Sequence, residues 1–560
     1  MTQTGIKTLR DSAGMRWTAL LLLALAMFCA YIFMDILSPI KDLMESTRGW
    51  DSSSFGRMQG AEVFLNVYVF FLIFAGIILD KMGVRFTAVL SGAVMLIGGI
   101  IKFYAVSEMF KGTGLETWFT NHLNWNGELP IIGAILPFAA GMPASAKLAA
   151  CGFMIFGCGC EMAGITVSRG IVKWFKGRET ALAMGSEMAL ARLGVATCMI
   201  FSPFFAKLGG AVHVDNAVKF GVVLLCIALI MFIVYFFMDK KLDSQTGEAE
   251  EKDDPFKISD LGKIFSSLGF WLVALLCVLY YSAIFPFQKY AVNMLQCNLD
   301  LTAATPDTFW GRDTVTIVQY IIMLVVAACA FSSNFIKNNK GLKYGLMGLA
   351  VVALVVYCYM GYMRGTAETI FAVFPLLAVA ITPILGNYVD HKGKAASMLM
   401  LGSILLVACH LTFAFILPGV SASSAAGGVV VAYVTILVLG ASFSLVPAAL
   451  WPSVPKLVDE KIIGSAYAAI FWIQNIGLGL FPTLIGNVLE SSNANNAAVI
   501  AAKTAIEAGE EGVLVPYDYK WALVMLASLG IAALLISVYL KAVDKKKGYG
   551  LEEPNIKAEN

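Results

Sequence analysis

The sequence predicts an all-α polytopic membrane protein of fourteen spans, and three observations carry that expectation. Hydrophobic residues fill 59% of the 560 positions and charged residues 14%, which is more apolar chain than a single soluble core can hide. The apolar residues gather in runs of about 20, the length that crosses a hydrocarbon layer about 30 Å thick. Lys and Arg crowd alternate connections between those runs, the asymmetry that orients membrane helices.

Taken in order, the runs lie near 16–40, 61–80, 86–106, 146–172, 180–204, 217–238, 267–293, 313–335, 342–363, 367–389, 395–417, 427–455, 462–488 and 519–541. The first is too long for a signal peptide and lacks a small-residue cleavage site, so it stays as an anchor. Pro130–Gly141 is apolar but only about a dozen residues long, short of the ~20 needed to span, and is expected to be interfacial or re-entrant. Both termini on the cytoplasmic face put the basic loops inside. The chain divides into an N-terminal six-helix bundle at 15–238, a cytoplasmic linker at 239–266, and a C-terminal bundle at 267–541 interrupted by a hairpin at about 313–363.

Several function classes drop out. A net charge of +2 with no basic patch gives nucleic acid nothing to bind. Ten of the eleven cysteines sit inside apolar runs and only Cys297 in a connection, so they read as small buried hydrophobes rather than disulfides or a metal site. No cofactor is expected. No HExxH, GxSxG or paired-Asp motif occupies a span, and the loops have no room for a soluble catalytic domain, so an enzyme is not expected.

The strongest chemical signal is Glu161 with Arg192. The two charges are equidistant from the short turn Lys173–Glu179, which places both roughly 20 Å above it on antiparallel helices. Intramembrane charges cost several kcal/mol unless they face a polar cavity or each other. The pair is therefore either a binding site or an ion pair locking two helices. Arg169 and Glu187 lie at similar depth on the same hairpin and are expected to pair with each other. Asp35 falls near the outer end of the first span, and His410 reads as a core histidine.

The chain also repeats itself. Gly76-x-x-x-Asp80-x-x-Gly83 with Arg85 closes the second span, and Gly386-x-x-x-Asp390-x-x-Gly393 with Lys394 closes the tenth. Each first Gly would let two helices approach closely, and each Asp would pair with a nearby base or helix N-terminus and hold the inward loops closed. A second echo aligns Lys173–Gly194 with Lys456–Gly477, setting Arg192 against Asn475. Repeated halves mark secondary carriers, whose site lies near the midplane between them.

At these residues the sequence resembles the major facilitator superfamily, which implies two six-helix bundles, here with an inserted two-helix hairpin. The runs WFKGRETALAMGSEMALARLG at Trp174–Gly194, YYSAIFPF at Tyr280–Phe287 and ALWPSVPKLV at Ala449–Val458 with GSAYAAIFWIQNIGLG at Gly464–Gly479 are similar to the family of domain-containing protein 1, lysosomal dipeptide carriers in animals. The resemblance implies that Glu161 meets the amine and Arg192 the carboxylate of a dipeptide, and gives Tyr281 and Trp451 places in the cavity.

The residue chemistry agrees with a zwitterionic substrate, because a carboxylate and a guanidinium replace the hydration that a peptide's two ends lose. Tyr280, Tyr281 and Trp451 would stack on side chains or on the ammonium, and Gln474 and Asn475 would add neutral donors. The partners expected are a dipeptide-like small molecule and the lipid bilayer. Rival readings are an organic-anion carrier, which would use Arg192 alone, and a carrier-fold receptor that no longer transports.

Two departures from the family stand out. The family has twelve spans, and the extra hairpin, nearly free of ionisable residues, is expected outside the bundle facing lipid, bracing the carrier or offering an oligomer contact, with Gln319 as the one inward candidate. No dileucine sorting signal is apparent in the N-terminal segment, so a cell membrane, prokaryotic rather than lysosomal, is the expected location.

Overall fold

The computed structural model describes residues 8–125, Gly133, 135–176, 178–209, 211–246, 258–299, Leu301, 312–333, Ile336, 339–458, 463–510 and 512–554. All of its regular elements are helical. The first crossing, α1 (Ala13–Met34), continues through a 3-10 turn into α2 (Lys41–Arg48), which ends at Gly49 with φ 66°. The return is broken into α3 (Ser52–Gly60), a 3-10 turn at Ala61–Val63, α4 (Phe64–Tyr68) and the start of α5 (Phe71–Val106). Asp51 caps α3 by accepting from the Ser54 N–H at 2.7 Å. A short α6 (Gly114–Asn121) precedes α7 (Ala144–Trp174), α8 (Thr180–Ala206) and α9 (Val214–Thr246), which complete the first half.

The second half begins with the short α10 (Ile258–Phe265) and with α11 (Leu268–Asn298). Next come the hairpin helices α12 (Arg312–Ser333) and α13 (Lys340–Arg364), then α14 (Ala367–Phe371) running into α15 (Val373–Lys392). α16 (Ala395–Leu411) passes through a π turn into α17 (Leu417–Ser423), and α18 (Ala425–Leu457), α19 (Ile463–Asn493), α20 (Ala497–Glu507) and α21 (Lys520–Lys547) finish the chain.

Among the described residues, thirteen helices are long and apolar enough to cross a membrane. One of them, α5, breaks at Gly83, where φ 78° and ψ 169° leave the helical region; only glycine adopts that backbone at little cost. Residues 71–82 therefore end the second crossing and residues 84–106 make the third, which is how thirteen helices accommodate fourteen expected spans.

Some boundaries move. α9 runs to Thr246, past the expected start of the linker at 239, because Asp239 and Asp243 on its last turns hold Lys173 at 2.6 and 2.7 Å. Residues 247–257 of that linker lie outside the described residues. Cys297 falls inside α11 rather than in a connection, with its thiol 3.5 Å from the Val515 carbonyl. Of Pro130–Gly141, residues 130–132 and 134 lie outside the described residues; the rest does not span, and the Gly133 and Leu136 carbonyls accept from the Arg57 guanidinium at 2.6 and 2.9 Å.

The halves meet most tightly at the end away from the termini, where α3 lies against α19. A methyl group on Gly56 would stand 2.2 Å from the Pro482 carbonyl oxygen, one on Gly60 2.2 Å from that of Gly479, and one on Gly486 2.1 Å from that of Ser52. Only bare backbone fits such a seam. The Tyr290 hydroxyl adds contacts at 2.9 Å to the carbonyls of both Ser52 and Pro482.

The hairpin departs from expectation. α12 packs along α8 and α15, one helix from each half, and Tyr320 meets Phe201 edge-on at 4.6 Å. The outer face of α13 carries exposed Val352, Val355 and Tyr359, as a lipid-facing helix should. Val326, Ala330, Met347 and Leu354, however, line the central cavity. The hairpin thus walls the seam between α8 and α15 instead of standing clear of the bundle. Gln319 does not point into the cavity; it is buried within the hairpin and donates to the Tyr357 carbonyl at 3.2 Å.

Candidate functional site

Between the halves lies a cavity of about 2110 Å³. Its floor is closed by the glycine seam and by Asp35, Gln288 and Lys289; its mouth, at the end carrying both termini, is lined by Asp80, Arg169, Lys173 and Asp390. Glu161 from α7 and Arg192 from α8 both face it. Their helices are antiparallel neighbours joined by the turn after Trp174, so equal sequence distance from that turn gives similar depth.

No ion pair joins Glu161 to Arg192 among the described residues. Glu161 instead accepts from the Asn475 amide at 3.0 Å, a hydrogen bond from α19 in the opposite half. The Arg192 guanidinium lies over two rings of the C-terminal half, 5.0 Å from the centroids of both Phe285 and Phe443. Cation–π contact supports such a charge while leaving its in-plane N–H donors free for a planar anion. A structural lock between the two residues is therefore not what this arrangement is.

Around them, Tyr281 and Trp451 line the cavity and are joined by a 3.1 Å hydrogen bond from the indole N–H to the phenol oxygen, with Trp451 stacked on Phe471 at 4.7 Å. Gln474 also lines it and accepts from the Cys277 thiol at 3.3 Å. Tyr280 does not reach it. That side chain is fully buried with its hydroxyl 2.5 Å from Ser442 Oγ, so its expected place among the cavity aromatics is corrected to helix packing between α11 and α18. Successive residues of a helix point about 100° apart, and here that step turns Tyr281 to the cavity and Tyr280 into the packing against α18.

The repeated loop motifs hold a different arrangement from the expected one. Arg169 pairs with Asp80 at 2.7 Å rather than with Glu187, and Arg85 pairs with Asp243 at 3.2 Å. Both bonds stay within the N-terminal half. Gly76 and Gly386 have no atom within 4 Å of an added Cβ and line the cavity, so neither marks a close approach while this end is open. Gly83 and Gly393, with φ 78° and 73°, form the tight turns; a Cβ on Gly393 would strike the C-terminal segment at the Glu552 carbonyl, 2.4 Å away. Asp390 lines the mouth. Because the Asp80–Arg169 pair is partly exposed, Asp80→Asn is expected to cost at most about 1 kcal/mol of stability, seen as a small drop in the thermal transition; a large drop would mean the pair organises the whole half.

Sequence reasoning missed Phe285 and Phe443, whose only signal is position one helical turn from Tyr281 and in the repeated half, and it missed Glu62, Lys102 and Lys289. All three are ionisable residues in or beside apolar runs, but they sit near run ends, where charges usually reach the interface. His410 behaves as expected, buried with Nδ1 2.9 Å from the Leu406 carbonyl.

Broken helices, a pseudo-repeated pair of bundles and a midplane cavity closed at one end define a multi-pass membrane protein of the major facilitator fold. The profile of the Major Facilitator Superfamily matches residues 129–367. The chain superposes on the crystal structure of a mutant of the nucleoside transporter NupG with a TM-score of 0.58 and 11% identity, covering 93% of this chain and 99% of that one. By sequence it resembles the lysosomal dipeptide transporter MFSD1 of Bos taurus, 25% identical over 348 residues, 61% of this chain and 58% of that protein. The Danio rerio protein of the same name is 25% identical over 369 residues, 64% of each chain. The chain thus spans less than two thirds of the curated relatives it matches.

Proposed function

We propose that this protein carries dipeptides or similar small zwitterions across its membrane by alternating access, with both termini cytoplasmic and the cavity here open to that side. The observation that carries the reading is the pair Glu161 and Arg192, opposite charges facing one cavity at similar depth without neutralising each other. A peptide ammonium would add to the Asn475 bond on Glu161, and a carboxylate would take the bidentate edge of Arg192. The apolar surface and the Tyr281–Trp451 pair would accept varied side chains, so specificity should be broad. The names of the sequence relatives favour the same substrate class.

A ligand-stabilisation screen of the purified protein tests it. Dipeptides are expected to raise the thermal transition, while N-acetylated dipeptides and dicarboxylates leave it unmoved. Stabilisation by blocked peptides equal to that by free ones would remove the amine from the recognition scheme and turn the reading toward an organic-anion carrier.

A further inference from the structure

At about 2110 Å³ the cavity exceeds the roughly 300–1,000 Å³ that encloses a small ligand, and the hairpin supplies a stretch of its wall that the Glu161–Arg192 scheme does not use. On α13, Lys343, Met347, Ala350 and Leu354 line the cavity at spacings of four, three and four residues, one face of one helix. On α12, Val326, Ala330 and Ser333 do the same at four and three. The polar members of these two stripes, Ser333 and Lys343, sit at the mouth; the rest is apolar. The wall opposite belongs to α8, where Met188 and Met184 line the cavity one and two turns on the mouth side of Arg192, about 6 and 12 Å by helix rise. Met188 is 65% exposed, and a methyl group on Gly185 would meet no atom within 4 Å, so the space between α8 and the hairpin is open. Met188 and Met347 lie eight and seven residues from the mouth ends of their helices, Thr180 and Lys340, which sets them at about the same depth.

We propose that α8, α12 and α13 form a side-chain pocket of the binding site, taking a large apolar or aromatic side chain on the C-terminal residue of the substrate. Position selects the residue. The carboxylate taken by Arg192 belongs to the C-terminal residue, whose side chain then starts within a turn of Met188. Chemistry selects the side chain. Met184, Met188 and Met347 are unbranched and polarisable, so they adapt to rings of different shape and make favourable sulfur–aromatic contacts, while burial of the ring removes apolar surface from water on both sides. Without the hairpin the same gap would face acyl chains, which would compete for it. The hairpin is thus a specificity element of the carrier, an inference that rests on the dipeptide reading. Glu187, on the same stretch of α8, also lines the cavity and would favour a basic side chain instead, which makes lysine the contrast.

Titration calorimetry of the purified protein compares Ala-Phe, Phe-Ala, Ala-Lys and Ala-Ala. Ala-Phe is expected to bind at least about tenfold more tightly than Ala-Ala, and more tightly than the other two. Met347→Trp, which fills the pocket from the hairpin side, should abolish that preference, whereas Val352→Trp on the lipid face of α13 should preserve it. Equal affinity for Ala-Phe and Phe-Ala, tighter binding of Ala-Lys, or a preference that survives Met347→Trp overturns the assignment. Photolabelling supplies a readout that needs no variant. Ala-benzoylphenylalanine, whose excited ketone inserts into nearby C–H bonds, should mark Met188 or Met347, and labelling confined to the Tyr281–Trp451 wall overturns the pocket. N-acetylbenzoylphenylalanine, an anion without an amine, separates the two readings. If no free dipeptide binds but this anion marks Met188 or Met347, the pocket stands and the dipeptide reading fails; if neither compound marks them, the pocket is wrong whatever the substrate.

Discussion

Arg192→Lys is expected to weaken dipeptide binding by roughly 30-fold, the equivalent of about 2 kcal/mol for one of two charge-assisted hydrogen bonds. Lysine keeps the charge but loses the planar fork, and it also forfeits the face that lies between Phe285 and Phe443. Glu161→Gln should cost a similar amount for peptides with a free amine, and nothing for peptides already acetylated. Asn475 matters to the interpretation, because its amide holds Glu161 at 3.0 Å from the opposite half; a glutamine at 161 can still receive that bond, so the halves need not separate for binding to fail. Titration calorimetry against one tight dipeptide measures both variants. Equal affinity of parent and Arg192→Lys would show that the guanidinium geometry is not read by the ligand.

Gly60→Val should have the second large effect, on the equilibrium between states rather than on the site. Its Cβ would stand 2.2 Å from the Gly479 carbonyl oxygen, a backbone atom that no rotamer change can move. Overpacking of this kind costs about 1–3 kcal/mol, and at about 2 kcal/mol the closed far end would lose roughly 30-fold in population. The cost falls only on the state in which α3 and α19 touch, so the variant should fold and favour the opposite-facing conformation. Far-end accessibility to a membrane-impermeant thiol reagent would report the shift. An unchanged accessibility with normal folding would mean that the helices pass at a distance the seam does not require.

The two expectations involve different atoms and can be combined. Arg192 sits at mid-cavity, Gly60 at the floor, and they share no partner, so their effects should add to within about 0.5 kcal/mol. Coupling much larger than that would indicate that ligand binding and far-end closure are one event.

What the sequence determined by itself is the class of molecule and the identity of its central pair. Hydrophobic run length is a local property set by bilayer thickness, so the crossings were readable one at a time. The depth of Glu161 and Arg192 followed from counting residues to a shared turn, because a helix converts sequence distance to height without reference to its neighbours. The glycine turns at Gly83 and Gly393 were likewise local, each set by a backbone angle that other residues adopt only at a cost.

Only the tertiary structure decided who meets whom. Arg169 had Glu187 and Asp80 within similar reach by height, and the helix packing chose Asp80. Tyr280 and Tyr281 are chemically alike, and helix rotation sent one to Ser442 and the other to Trp451. The hairpin looked peripheral because it carries almost no charge, yet uncharged surface is what the seam between α8 and α15 needs beside lipid. Asp35 and Lys289 lie 254 positions apart in the chain, and nothing in either local sequence says that one will neutralise the other. Height within a membrane is written in the sequence of each helix; azimuth and partner are fixed only when the crossings pack together.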